Sequence, residues 1–222
     1  MIHALALPLL ASVLLLPSCG NDGGGGGKKK TTSAPVVEEQ VAEGAYRAIL
    51  RPLNNQLSGF IPTGAAEITI RGDEVRVKTL LDDDARVPHR QAIQLSTRCP
   101  TPGDDANGDG VVDVAEAYKA SGDVFVPLDS DLNGAELGAG VYPVGSGFTY
   151  LETASLRELE ADARARTGQN LNLGGRVILV HGVASGTPLP ATAATIEHLP
   201  REATVPIACG VVLRVNDAGV HP

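Results

Sequence analysis

From Glu43 onward apolar and polar residues alternate in short runs broken by Gly, Pro, Asn and Asp. A period of two puts one face of an extended chain into a core and the other into water. It predicts strands at Tyr46–Leu50, Ala92–Leu95, Val124–Pro127, Gly147–Leu151, Val177–His181 and Ile207–Val215. Ile68-Thr69-Ile70 and Val75-Arg76-Val77-Lys78-Thr79 flank Gly72-Asp73, the pattern of a hairpin with a tight turn. The Arg71-Gly72-Asp73 triplet at its tip reads as turn punctuation, not as an adhesion signal. One helix breaks the series: Ser155 and Glu158 have capping-box spacing, Leu156, Leu159 and Ala163 share a face, and Gly168 is the stop. Evenly spaced strands without a longer repeat predict an all-β sandwich or flattened barrel with one or two short helices.

The N-terminal 42 residues follow other rules. Ala4 to Pro17 is almost wholly apolar and is shorter than the roughly 20 residues that a membrane helix needs. It reads as the core of a signal peptide over residues 1–18. Its ending, Leu16-Pro17-Ser18-Cys19, resembles the lipobox of bacterial lipoproteins, which makes Cys19 the lipidation site; plain secretion is the other reading. Gly23 to Gly27 and Lys28-Lys29-Lys30 make residues 19–42 a flexible tether. The expectation is an exported chain held to a membrane, the outer membrane by the non-acidic Gly20, with a folded body over 43–217 and a tail at 218–222. Of three cysteines, Cys19 leaves Cys99 and Cys209, which either pair in an oxidising compartment or stay as two buried thiols.

Composition narrows the function. The chain has 222 residues, 43% hydrophobic, a length and content that suit one packed domain and a tail. With 18 Lys and Arg against 26 Asp and Glu, and only 3% aromatic residues, it lacks both the basic face that duplex DNA requires and the rings that stack on single strands.

One segment carries specific chemistry. Asp105-Ala106-Asn107-Gly108-Asp109-Gly110-Val111-Val112-Asp113-Val114-Ala115-Glu116 fits the EF-hand calcium loop at each position. Calcium takes six to eight hard oxygens at about 2.3–2.6 Å. Asp105, Asn107 and Asp109 supply side-chain oxygens from alternate positions, Val111 its carbonyl, Asp113 a direct or water-borne contact, and Glu116 two oxygens. Gly110 permits the sharp turn. The flanks are not an EF-hand: Cys99-Pro100-Thr101-Pro102-Gly103 cannot begin a helix, whereas Val114 to Ala120 can form a short one. Asp129-Ser130-Asp131-Leu132-Asn133-Gly134 copies only the first half of such a loop and reads as a turn. Asp82-Asp83-Asp84 reads as a solvated turn.

Gly175-Arg176-Val177-Ile178-Leu179-Val180-His181 and Ile207-Ala208-Cys209-Gly210-Val211-Val212 resemble the last strands of copper/zinc superoxide dismutases, and Thr63-Gly64-Ala65-Ala66 with its hairpin resembles chordin-type (CHRD) domains. The resemblance spans roughly residues 45–215. It implies a Greek-key β-sandwich and a Cys99–Cys209 bridge. It does not carry over a catalytic copper site. The family's His-x-His pair falls on Ala92-Ile93-Gln94, with His89 three residues upstream; only His181 matches a copper-ligand position. No histidine lies between Cys99 and His181, where the family's zinc loop sits, and Pro206 stands where it has an anion-guiding arginine. Copper redox cycling needs several imidazoles. The calcium loop begins where the zinc loop would be, as if calcium had taken over folding that insertion. Three functions follow as expectations: a non-catalytic calcium-binding lipoprotein with a structural or ligand-binding role at the cell envelope, a divergent metal-dependent dismutase using His89 and His181, and a dockerin-like interaction module. His198 and His221 belong to no constellation.

Overall fold

A computed structural model of the chain describes residues 42–57, 59–132 and 141–215, all within the compact unit Glu38–Pro222. The signal peptide, Cys19, the tether, the tail with His221, and residues 133–140 of the second acidic turn lie outside the described residues. The described body is all-β apart from two short helices. Its strands are β1 (Gly44–Pro52), β2 (Thr63–Arg71), β3 (Glu74–Asp82), β4 (Gln91–Gln94), β5 (Val124–Pro127), β6 (Phe148–Ser155), β7 (Val177–His181), β8 (Pro206–Val211) and β9 (Leu213–Val215); the helices are α1 (Val114–Ser121) and α2 (Leu156–Thr167). No helix among the described residues is long and apolar enough to cross a membrane.

The strands form one antiparallel path, β5-β4-β7-β8-β1-β2-β3-β6, with β9 also paired to β1. The sheet curls on itself, and α2 packs against both β5 and β6, the two ends of the path. Ser155 caps α2 by accepting from the Glu158 amide, and Gly168 ends it in the left-handed conformation, as the sequence predicts. Leu159 and Ala163 go into the core; Leu156 stays partly exposed.

Burial explains two kinds of strand. β1, β2 and β3 alternate, with Tyr46, Ala48, Ile68, Ile70, Val75 and Val77 inward and their neighbours in solvent. β4, β5 and β7 are buried on both faces. Their outer face is roofed by the segment between β4 and β5, where Val112 and Ala117 pack on Val177, Leu179 and Cys209. The predicted C-terminal strand Ile207–Val215 is split, because Val212 leaves the ladder to exchange hydrogen bonds with Arg176 and Gly175. Gly210 in β8 is required by close approach: a Cβ there would meet the Ile49 carbonyl oxygen at 2.5 Å.

Cys99 and Cys209 form a disulfide with Cα atoms 5.8 Å apart. It ties the start of the roof to β8 across a separation of 110 residues. Closing so long a loop restricts the unfolded chain, by the chain-entropy account, far more than a short one. Replacing both cysteines with serine is expected to lower the unfolding free energy by about 2–5 kcal/mol; equal urea midpoints for the double variant and the parent would contradict this.

Candidate metal centre

The roof is assembled from local rules. Pro102–Asp104 makes a single 3₁₀ turn, the only helical geometry that the Pro-rich entry takes up. Asp104 accepts from the Thr101 amide at 2.8 Å and receives both Arg98 guanidinium nitrogens at 2.8 Å each. The Arg98 pairing holds its carboxyl well below the usual carboxylate range.

The loop 105–116 then winds around its own side chains. Asp105 Oδ1 accepts from the Gly108 amide at 2.8 Å and the Asp109 amide at 3.2 Å, and its Oδ2 accepts from the Gly110 amide at 2.8 Å. Asn107 Oδ1 accepts from the Asp109 amide at 2.9 Å, and Asp109 Oδ1 from the Val111 amide at 3.0 Å. Gly110 makes the turn with φ +87°. Glu116 reaches back across the loop: Oε1 accepts from the Ala106 amide at 2.8 Å and the Asn107 amide at 3.2 Å, and Oε2 from the Asp113 amide at 3.1 Å. Asp113 caps α1 by accepting from the Glu116 amide at 3.0 Å. The first and last positions of the motif therefore each gather amides from its interior, and the helix that carries Glu116 starts where the sequence places it.

Four contacts that the sequence does not announce fix this loop to the body, the first from Gln56, whose Nε2 donates to the Gly110 carbonyl at 2.7 Å. Asn54 donates to the Val112 carbonyl at 2.8 Å and accepts from the Val112 amide at 3.0 Å, and also donates to the Pro206 carbonyl at 2.9 Å. The Thr192 hydroxyl donates to Asp109 Oδ2 at 2.5 Å, and the Ala194 amide donates to Asp113 Oδ2 at 2.8 Å. The Thr192 bond is the main reason that the Asp109 carboxyl lies below its ordinary range. These partners lie more than 50 positions away in sequence, so no local spacing marks them.

Asp105, Asn107, Asp109, Val111, Asp113 and Glu116 thus share one wound loop. Among the described residues, however, no three His, Cys, Asp or Glu side chains are drawn together as a metal-binding group. The carboxylates are held by amides and by the 192–194 segment rather than gathered at one point. The donor chemistry still has one character: carboxylates, an amide oxygen and a carbonyl, all hard oxygens, with no thiolate or imidazole in the loop. Such a set has the hard-oxygen character that alkaline-earth cations take.

The two histidines of the dismutase resemblance lie elsewhere, in contact with each other through backbone. His181 is fully buried; its Nδ1 lies 3.1 Å from the Arg90 carbonyl oxygen, and its Nε2 has no hydrogen-bond partner. His89, also fully buried and stacked on Phe148, has Nδ1 3.0 Å from the His181 carbonyl oxygen and Nε2 3.0 Å from that of Gly145. Its Nε2 is also 3.4 Å from Asp83 Oδ2. Asp83 corrects the reading of 82–84 as a solvated turn: Asp82 and Asp84 are exposed, but Asp83 turns inward, accepts from the Ala85 amide at 2.7 Å, and is raised above the carboxylate range by burial. A run of like charges gave no sign that its middle member faces a histidine 6 positions on. Asp129 is likewise buried, its Oδ1 accepting from the Asp131 amide at 3.0 Å.

The chain matches no protein-family model, and no curated protein matches its sequence.

Burial, reinforced by the positive charge of Arg90, pushes His181 down to about 3. The unfolded state, with its ordinary value of 6.5, then takes up a proton that the folded state refuses. The stability due to neutral His181 is whole above pH 6.5 and is lost as pH falls from there toward 3. Urea unfolding from pH 7 to 4 is expected to show a loss of about 1.4 kcal/mol per unit from this group, absent in His181→Gln. Parallel pH curves for the two proteins would contradict the assignment.

Proposed function

We propose that the chain is an exported lipoprotein, anchored through Cys19, whose β body binds one structural calcium in the 105–116 loop and has no catalytic copper site. The observation that carries this reading is the winding of that loop. Asp105 and Glu116 each collect amides from the motif's interior, so a cation would meet a backbone already folded into the turns that the spacing requires. In the calcium-bound state Asp105, Asn107, Asp109, Glu116, the Val111 carbonyl and Asp113 would be the ligands, with Asp109 and Asp113 moving off Thr192 and Ala194 or sharing their oxygens with them. The ion supplies charge neutralisation for four carboxylates crowded into twelve positions.

The loop is the body of the roof over β4, β7 and β8, so its ion would be a structural element at the place where the superoxide dismutase resemblance has zinc. A Greek-key sandwich of that kind is the architecture we propose for the curled sheet. The dismutase alternative finds less support, since His89 faces backbone carbonyls through both ring nitrogens and His181 lies on the Arg90 carbonyl through Nδ1, with no second imidazole bonded to either ring. A dockerin-like module would want a second complete loop, which the Asp129 turn does not supply. The role at the envelope is therefore structural or ligand-binding.

A lone loop of this kind is expected to bind at about 10⁻⁴–10⁻³ M. At 10 mM calcium, about 100 times the tighter limit, the gain in stability would reach about 2.7 kcal/mol. The melting temperature should rise with calcium, hardly with magnesium, and not at all in Glu116→Gln. A calcium-dependent rise that persists unchanged in Glu116→Gln would refute the site.

A further inference from the structure

The outer face of the curled sheet is roofed over only half its width. Over β1, β2, β3 and β6 it is open, and there aliphatic side chains stand in water: Ile49 is 50% exposed, Leu80 43%, Leu151 45% and Leu213 62%. Strand register places them in two adjacent rows. Ile49, Ala65, Leu80 and Thr149 form one row across four strands, and Leu213, Arg47, Glu67, Lys78 and Leu151 form the next. Exposed aliphatic side chains grouped on one face mark a binding surface more often than singly scattered ones.

The charges on this face set its partner. Arg47, Arg51, Arg71, Arg76 and Lys78 point outward on β1, β2 and β3, against Glu67, Glu74 and Asp82. Five cations face three carboxylates, on a chain whose net charge is −8. A second copy docked face to face would bring like charges together, which disfavours self-pairing. Aliphatic side chains interleaved with Arg and Lys are instead suited to a lipid interface, where the apolar parts enter the acyl boundary and the long cationic stems reach the headgroups.

We propose that this open face docks on an anionic lipid surface, a step beyond the lipoprotein reading and resting on it. β1 is the first strand after the 19–42 segment, so a lipid on Cys19 would hold the face at high local concentration near headgroups. Docking would orient the body with its calcium loop and roof directed away from the bilayer.

The body contains two lysines, Lys78 on the open face and the exposed Lys119 on α1 in the roof. The test is acylation of the full processed chain by a membrane-impermeant amine reagent, on vesicles of phosphatidylcholine alone or with phosphatidylglycerol, read by mass spectrometry. Lys78 should react about fivefold more slowly on the anionic vesicles, while Lys119 is unchanged and both react equally on neutral ones. Added salt, at about 0.5 M, should restore Lys78, because exposed charges are then screened within a few ångströms. The double variant Arg47→Glu/Arg76→Glu should keep its melting temperature and lose the protection. Equal reactivity of Lys78 on both vesicles overturns the proposal. So does protection that grows with protein concentration without lipid, which would mean a second copy, or protection given by polyglutamate and not by vesicles, which would mean an acidic protein. The mass of the N-terminal fragment separates this from the anchor: a chain without an acyl group refutes the lipoprotein reading, and its Lys78 pattern on anionic vesicles still decides the face.

Discussion

The outward face of β7 and β8 presents Val177, Leu179 and Cys209, and the chain must cover it. Everything distinctive in the protein follows from how that cover is held. Val177, Leu179 and Cys209 lie beneath Val112 and Ala117, and the cover is fastened by covalent, polar and helical means at once: the Cys99–Cys209 bridge, the Asn54 bonds to Val112, and α1 capped by Asp113. Each fastening removes freedom that a Pro- and Gly-rich insertion would otherwise keep.

The loop inside the cover is the costly part. Four carboxylates in twelve positions repel, and their nearest compensation is the ring of inward backbone amides, with Thr192 and Ala194 adding bonds from the segment before β8. Those amides offset the charge only in part, since each carries a fraction of a unit. A divalent cation would offset two of those four charges directly, at the spot where the sheet most needs a rigid roof. His181 and His89 are buried beside each other, His89 stacked on Phe148 and both bonded to backbone carbonyls.

Much of this was legible in the sequence where the signal is local. β5 and β7 appear at the limits that alternation and apolar runs predict, α2 starts at Ser155 and stops at Gly168, and α1 follows the loop that Glu116 closes. The two body cysteines do pair. The early strands are longer than read, because polar residues such as Thr63 and Glu74 extend the β2–β3 ladder on its solvent face, where period-two counting finds little contrast. Non-local bonds were invisible: nothing around Asn54 or Thr192 announces a partner in the 105–116 loop, and nothing in a triple-Asp run reveals that Asp83 is inside. The open face was equally unreadable, since only register shows Ile49 and Leu80 to be in one row.

The most direct test is a calorimetric titration of the chain with calcium, and with magnesium as the competing hard cation. The account predicts one calcium per chain, with affinity well above that for magnesium. No saturable heat with calcium, or a stoichiometry unaffected when Asp105 is replaced by alanine, would contradict it.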